Sequence, residues 1–247
     1  MKTLINIGSK RIKIDLSKPI DISIPFTTKP NSTKGWAVDP IKITSVVRGR
    51  WVGSVKDGGS VNFKNVRFNP HGNGTHTECV GHITREEISI NKSLTNYFYI
   101  AQLLSVKPTN INGDQIITKK SLKKKMNQLT DAIIIRTLPN SSKKLEMDYT
   151  GKNPPYLEES AAQMLREKKV KHLLVDLPSV DKEQDQGKLL AHNAFWETHK
   201  SPKKNAFITE LVYIPNEVKD GKYFLNIQVA PFEMDASPSR PLLFNIY

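Results

Sequence analysis

One mixed α/β domain is the fold this sequence predicts, and three stretches carry that prediction. Residues 131–137 (DAIIIRT) form an apolar run of strand length, of the kind found in sheets covered on both faces. Within residues 156–165, Leu157, Ala161, Met164 and Leu165 recur at helical spacing on one face. Residues 172–176 (HLLVD) are strand-like again. Strand, helix and strand in that order, over about forty-five residues, predict a crossover unit.

The other elements follow along the chain. Residues 11–16 (RIKIDL) alternate like a half-buried strand. Residues 21–24 continue until Pro25, which ends pairing or places it at an edge. A loop rich in Thr, Lys, Pro, Asn and Gly runs to about Asp39. Strands are expected at 41–47, 61–66, 97–106, 206–214 and 223–229, with a short helix after Lys188. Asn73-Gly74 is a turn signal, because both residues tolerate positive φ. No repeat, low-complexity tract or linker divides residues 1–247, so they are read as one domain.

Composition narrows the functional classes. With 38% hydrophobic and 25% charged residues, the chain resembles an ordinary soluble protein. Its longest apolar runs are far too short to span a bilayer, and residues 1–17 alternate rather than forming the apolar stretch of a signal peptide. A cytoplasmic location without membrane attachment is the expectation. The net charge of +13 raises the question of nucleic acid. The densest group, Lys119, Lys120, Lys123, Lys124 and Lys125, has no aromatic interleaving and belongs to no nucleic-acid module, so it reads as a solvated helix or loop. The single cysteine, Cys79, permits no intrachain disulfide and reads as a small buried thiol.

Two places look like chemistry. Of six histidines, His71, His76 and His82 fall within a dozen residues. If the chain after the turn is extended, His76 and Glu78 project from one face. Imidazole beside carboxylate suits zinc or manganese. His82 has the same parity and reaches the site if extension persists; His71 has the opposite parity, and only the turn brings it round. The second place is Glu210, a carboxylate interrupting the apolar run 206–214. Buried there, it must meet a metal, a cation or strong donors, or take up a proton. His192 follows Leu189-Leu190-Ala191, where a helix face can present it inward, whereas His172 and His199 read as structural or exposed.

Gly74-Thr75-His76-Thr77-Glu78-Cys79-Val80-Gly81-His82 resembles the His-x-Gly-Thr-His-x-Asp-x-Pro-x-His signature of the bacterial kynurenine formamidase and cyclase family. The likeness is colinear. Asp21-Ile22-Ser23, Trp36 three residues before Asp39, Asp176-Leu177-Pro178-Ser179-Val180-Asp181, His192, Ile208-Thr209-Glu210-Leu211 and Ser237-Pro238-Ser239-Arg240-Pro241 are each similar to family segments. The resemblance implies a swivelling β/β/α domain and a homodimer. It implies one or two zinc or manganese ions held by His76, Glu78, His192 and Glu210, with His82 moving the proton and Trp36 lining the substrate pocket. The implied reaction is hydrolysis of an amide or lactam by metal-activated water. The alternatives are a cyclase or dehydratase acting on a carbonyl compound, and a small-molecule-binding protein that has lost its metal. This sequence departs from the signature at three points: the first histidine falls at Gly72, with His71 one position earlier; Glu78 replaces aspartate; Val80 replaces proline. Trp36 also lacks the family's following Pro-Gly.

Overall fold

The computed structural model describes residues 1–7, 10–126 and 130–247. Gly8 and Ser9, inside the alternating stretch 1–17, lie outside the described residues. Among those described, one sheet of eight strands organises the molecule. In chain order these are β1 (Ile20–Asp21), β2 (His76–Glu78), β3 (Phe98–Val106), β4 (Ala132–Thr137), β5 (His172–Val175), β6 (Phe207–Glu210), β7 (Gly221–Val229) and β8 (Ala236–Asn245). Their order across the sheet is β7-β3-β4-β5-β6-β2-β8-β1, and β8 also pairs with β7, closing a hydrogen-bonded ring. The α-helices are α1 (Ile90–Ser93), α2 (Lys119–Lys125), α3 (Glu159–Glu167) and α4 (Leu190–Trp196).

The expected crossover unit is present. β4 and β5 are parallel neighbours with α3 between them in sequence, and α3 packs against α4. β4 is buried on both faces: Ile133 and Ile135 meet the helices with Leu173, Ala161, Leu165 and Phe195, while Ala132 and Ile134 pack inside the ring with Leu103, Leu174 and Leu225. That double burial is why the run lacks the alternation of a one-sided strand. Apolar burial on both faces is the main stabilising term, and closure leaves the inner strands without an exposed edge.

Several boundaries differ from the sequence reading, each for a local reason. The helix expected within 156–165 starts at Glu159, because Tyr156–Leu157 pairs as a strand with Ile116 and Ile117. The strand expected over 206–214 stops at Glu210, where Leu211 takes a left-handed φ of 53° and turns the chain. The segments 41–47 and 61–66 form an arm outside the sheet, in which Lys42–Ser45 pairs with Lys64–Arg67. β8 is absent from the sequence reading because Pro238 and Pro241 argue against a strand there. Proline lacks only the donor: the Pro238 and Pro241 carbonyls accept from Ala230 N (3.1 Å) and Ile22 N (3.2 Å). The lysine cluster is helical, its charges outward and Leu122 buried. Among the described residues, no helix is long and apolar enough to cross a membrane.

On the ring-interior face of β2 and β6, Thr77 Oγ1 meets Thr209 Oγ1 at 2.7 Å, and Thr209 Oγ1 meets His172 Nε2 at 2.7 Å. His172 is fully buried, and that burial pushes its pKa down to about 3. The unfolded chain therefore takes up a proton near pH 6.5 that the folded chain refuses until about pH 3, so stability falls on acidification between those values. His172→Phe, which keeps a ring between Tyr99 and Phe207, should remove up to one proton from that dependence. That is about 1.4 kcal/mol per pH unit, read from urea unfolding between pH 6.5 and 4. An unchanged slope would assign the acid sensitivity to other groups.

Candidate metal centre

The centre grows out of one register. β2 lies antiparallel between β6 and β8, with His76 opposite Glu210 on one side and Pro238 on the other. Alternation along β2 sends Thr77 to the interior face, and His76 and Glu78 to the face where Glu210 also points. Glu78 continues the row Ile133–Leu173–Ile208 across the sheet and is followed by the buried Ala236, so its carboxylate interrupts an apolar row. His76 is completely buried. Its Nδ1 lies 3.1 Å from Gly74 O, and its Nε2 has no hydrogen-bond partner among the described residues, standing 3.4 Å from Glu210 Oε2 without hydrogen-bond geometry.

The turn before β2 is held by side chains. Asn69 Oδ1 accepts from the amides of His71 (2.9 Å) and Gly72 (3.0 Å), and Asn73 Oδ1 accepts from Asn69 N (2.7 Å). Gly74 supplies the positive φ of 94° that the turn requires. Thr75 Oγ1 accepts from Ile24 N and donates to Leu211 O, tying the turn to the kink after β6. This geometry brings His71 into the centre: its Nδ1 lies 3.1 Å from Glu78 Oε2 and its Nε2 2.7 Å from Asp235 Oδ2. Gly72, where the family signature has its histidine, is closed to any side chain. A Cβ there would sit 2.6 Å and 2.7 Å from the two methyls of Val38. The one-residue displacement of the histidine is thus matched by a valine packed into the vacated space.

His82 reaches the site, but not by continued extension: residues Val80–Ile83 form a 3-10 turn, with His82 N donating to Cys79 O at 3.0 Å. The His82 ring stacks on His71 at 4.2 Å, its Nδ1 is 3.3 Å from Asp235 Oδ2, and its Nε2 is 3.9 Å from Glu78 Oε2. Cys79 takes no part; its buried thiol donates to Ile88 O, and burial pushes it up to about 11.

His192 comes from the first turn of α4. Asp181 accepts from the amides of Ala191 (2.6 Å) and His192 (3.2 Å) and from His192 Nδ1 (2.6 Å), so one carboxylate holds both the helix start and the ring. That leaves His192 Nε2 facing Glu78 Oε1 at 3.0 Å and Glu210 Oε1 at 3.9 Å. Glu210 is steadied by Val180 N at 3.0 Å. Trp36, 40% exposed at a φ of 60°, lines a cavity of about 300 Å³ with Val38, Leu189, His71, His82, His192 and Glu210.

Sequence reasoning missed Asp235 and gave Asp181 no role. Asp181 lies in a segment matched to the family, but Asp235 is 164 residues from His71 and no spacing connects them.

The electrostatics show what the centre can hold. Burial opposes protonation of His71, yet the hydrogen bonds to Asp235 and Glu78 raise it to about 10. Burial likewise opposes protonation of His192, and Asp181 and Glu78 raise it to about 10. Burial alone would raise Glu78; the charge of His82 and the bonds from His192 and His71 outweigh it and hold the carboxyl well below its usual range. Four carboxylates gathered around these imidazoles demand positive charge. A divalent cation fits that demand. His76, His192 and His71 each have one ring nitrogen against a backing oxygen and the other turned toward Glu78 or Glu210, and the buried His76 Nε2 has no hydrogen-bond partner among the described residues. Nitrogen and carboxylate donors of this kind suit zinc or manganese.

A ring-shaped sheet flanked by helices, with a histidine–carboxylate centre suited to a divalent metal, defines the class of protein. The chain belongs to the cyclase family, whose model matches residues 14–182. It is 28% identical over 228 residues to kynurenine formamidase of Bacillus anthracis, covering 92% of this chain and 97% of that protein. The fold is shared with a Bacillus stearothermophilus protein described as a predicted metal-dependent hydrolase (TM-score 0.61, 21% identity, 92% of this chain and 98% of the other). It is also shared with an isatin hydrolase bound to thioisatinate (TM-score 0.64, 15% identity, 93% of each).

Metal binding should displace the protons held by His71 and His192. Because their folded pKa values lie above the free value of 6.5, the ion-pair stability of the metal-free protein is full below pH 6.5 and is lost as pH rises through about 10. Calorimetric titration with zinc at pH 7.5 in buffers of different ionisation enthalpy should report about two protons released per ion, with binding weakening as pH falls. His76→Ala should abolish uptake. Zinc bound equally by His76→Ala would place the metal elsewhere.

Proposed function

We propose that the protein is a metal-dependent hydrolase of an amide or lactam, of the arylformamide kind, using one or two zinc or manganese ions. The observation that carries this reading is the convergence of His76 Nε2, His192 Nε2 and His71 Nδ1 on Glu78 and Glu210, each ring steadied from behind. The similarity to kynurenine formamidase supports the same class of reaction.

His76, Glu78, His192, Glu210 and His71 would hold the metal. When bound there, the ion supplies a water acidified to near neutral pH and polarises a carbonyl, the chemistry that opens an amide. The rest falls to this chain's own side chains. Trp36, Val38 and Leu189 give the cavity an apolar wall for an aromatic or alicyclic group, and its volume limits the substrate to a small molecule. His82 stands at the boundary between cavity and centre, its side chain 31% exposed, and can carry a proton to a leaving nitrogen.

The homodimer implied by the resemblance is retained as part of the proposal. What supports it is the arm outside the sheet, which leaves Ile43, Val47, Phe63 and Val66 between 42% and 65% exposed, an apolar surface that a second copy would cover. Light scattering should then return twice the chain mass; a monomer at micromolar concentration would refute it.

A panel of formanilides and lactams in ¹⁸O-water tests the reaction. Hydrolysis places the label in the product acid, whereas an unlabelled product would indicate cyclisation or dehydration. His82→Ala should keep its metal while turnover falls by about a hundredfold or more. Glu210→Gln should lower metal retention. Full activity in His82→Ala would remove it from the mechanism, and a wild-type protein that binds no metal would end the hydrolase reading.

A further inference from the structure

Asp235 precedes β8 and has no role in the reading so far beyond its charge. Its backbone is fixed on both sides: Cys79 N donates to Asp235 O at 3.0 Å, and Ile90 N donates to Met234 O at 2.8 Å. The first of these bonds clamps it beside Glu78. One oxygen of its carboxylate, Oδ2, then meets two imidazoles, His71 Nε2 at 2.7 Å and His82 Nδ1 at 3.3 Å, whose rings lie nearly parallel, 30° apart with centroids 4.2 Å apart.

An ionised carboxylate accepts and does not donate, so both contacting nitrogens must carry hydrogen. Glu78 is a carboxylate too, so the tautomer of a neutral ring follows from the shorter contact. His71 keeps its hydrogen on the 2.7 Å bond to Asp235 rather than at 3.1 Å from Glu78, and His82 at 3.3 Å from Asp235 rather than 3.9 Å from Glu78. His71 is Nε2–H, and its lone pair is on Nδ1, the atom 3.1 Å from Glu78 Oε2. His82 is Nδ1–H, and its lone pair is on Nε2, toward Glu78 and the cavity. Turning either ring over would break its bond to Asp235 and take its lone pair out of the centre. The arrangement parallels that of Asp181 and His192, except that Asp235 serves two rings with different duties.

We infer that Asp235 is a positioning residue for both histidines, holding His71 with Nδ1 toward the metal position and His82 with Nε2 toward the substrate. This inference rests on the metal-hydrolase reading for what the two rings do, but not for how they are held. It also accounts for the displaced histidine. His71 enters from a different backbone position than the signature provides, and Asp235 supplies the second point of attachment that fixes its ring.

The test uses the full chain and two probes. Imidazole ¹⁵N spectra of the metal-free protein, collected above pH 10 so that the rings are neutral, should show Nε2–H for His71 and Nδ1–H for His82. Both should become tautomer mixtures in Asp235→Ala, while His172 stays unchanged as an internal control of the fold. Zinc competition against a chromophoric chelator should give an affinity about 10- to 100-fold weaker for Asp235→Ala. Asp235→Glu should recover part of that loss. The double variant His71→Ala/Asp235→Ala should bind zinc no more weakly than His71→Ala alone, because Asp235 acts on the metal through His71. Unchanged His71 and His82 tautomers in Asp235→Ala, or a zinc affinity within twofold of wild type, would overturn the inference. A wild-type protein that binds neither zinc nor manganese would defeat the proposed function, and the ¹⁵N spectra would still decide the role of Asp235.

Discussion

The antiparallel register of β2 against β6 is the constraint on which the site depends. It sets His76 opposite Glu210 and, through the two-residue strand period, turns Glu78 to the same side. A slip of β2 by one residue would turn Thr77 to the centre and drive His76 and Glu78 into the ring, leaving Glu210 without them. The register is held from both faces. The Thr77–Thr209–His172 chain locks it inside the ring, and Thr75 bridges Ile24 to the kink at Leu211 beyond the end of β6. The polar residues at these positions therefore act as alignment marks as well as hydrogen-bonding groups.

The same economy governs the loops. Asp181 joins the start of α4 to the orientation of His192, and Asn69 with Asn73 folds the turn that delivers His71. His71 and His192 are oriented by carboxylates on other segments and His76 by the Gly74 carbonyl of its own turn, and the imidazoles meet carboxylates that could not remain ionised together without compensating charge. Val38 belongs to this set although it bears no charge. By filling the space beside Gly72 it leaves position 71 as the place on this turn from which a histidine enters.

Much of this was legible in the sequence where a single segment carries its own evidence. The buried run at 132–137, the amphipathic α3 and the pairing of parity between His76 and Glu78 each reflect a local period. Glu210 was legible as a misfit, since a carboxylate in an apolar strand needs an explanation. What could not be read depended on distant segments. β8 is disguised by its prolines, whose cost disappears because the neighbouring chains need only their carbonyls. Asp235 meets His71 and His82 through the closure of the ring, and no sequence period encodes that contact. The 3-10 turn at Val80–Ile83 brings His82 into place by a route the extended reading did not contain.

The position of β8 in the sheet also bears on how the centre comes into being. β8 flanks β2, closes the ring against β7 and follows directly on Asp235, so it is the keystone of the arrangement while standing late in the chain. As the polypeptide leaves the ribosome, the histidine-rich turn emerges before either strand that flanks β2, and before the carboxylate of Asp235 that meets His71. Any ion captured then would meet a mobile, incomplete set of donors. The side chains proposed to hold a metal, drawn from residues 71 to 210, and the carboxylate of Asp235 behind His71 thus come together only once the late strands are seated.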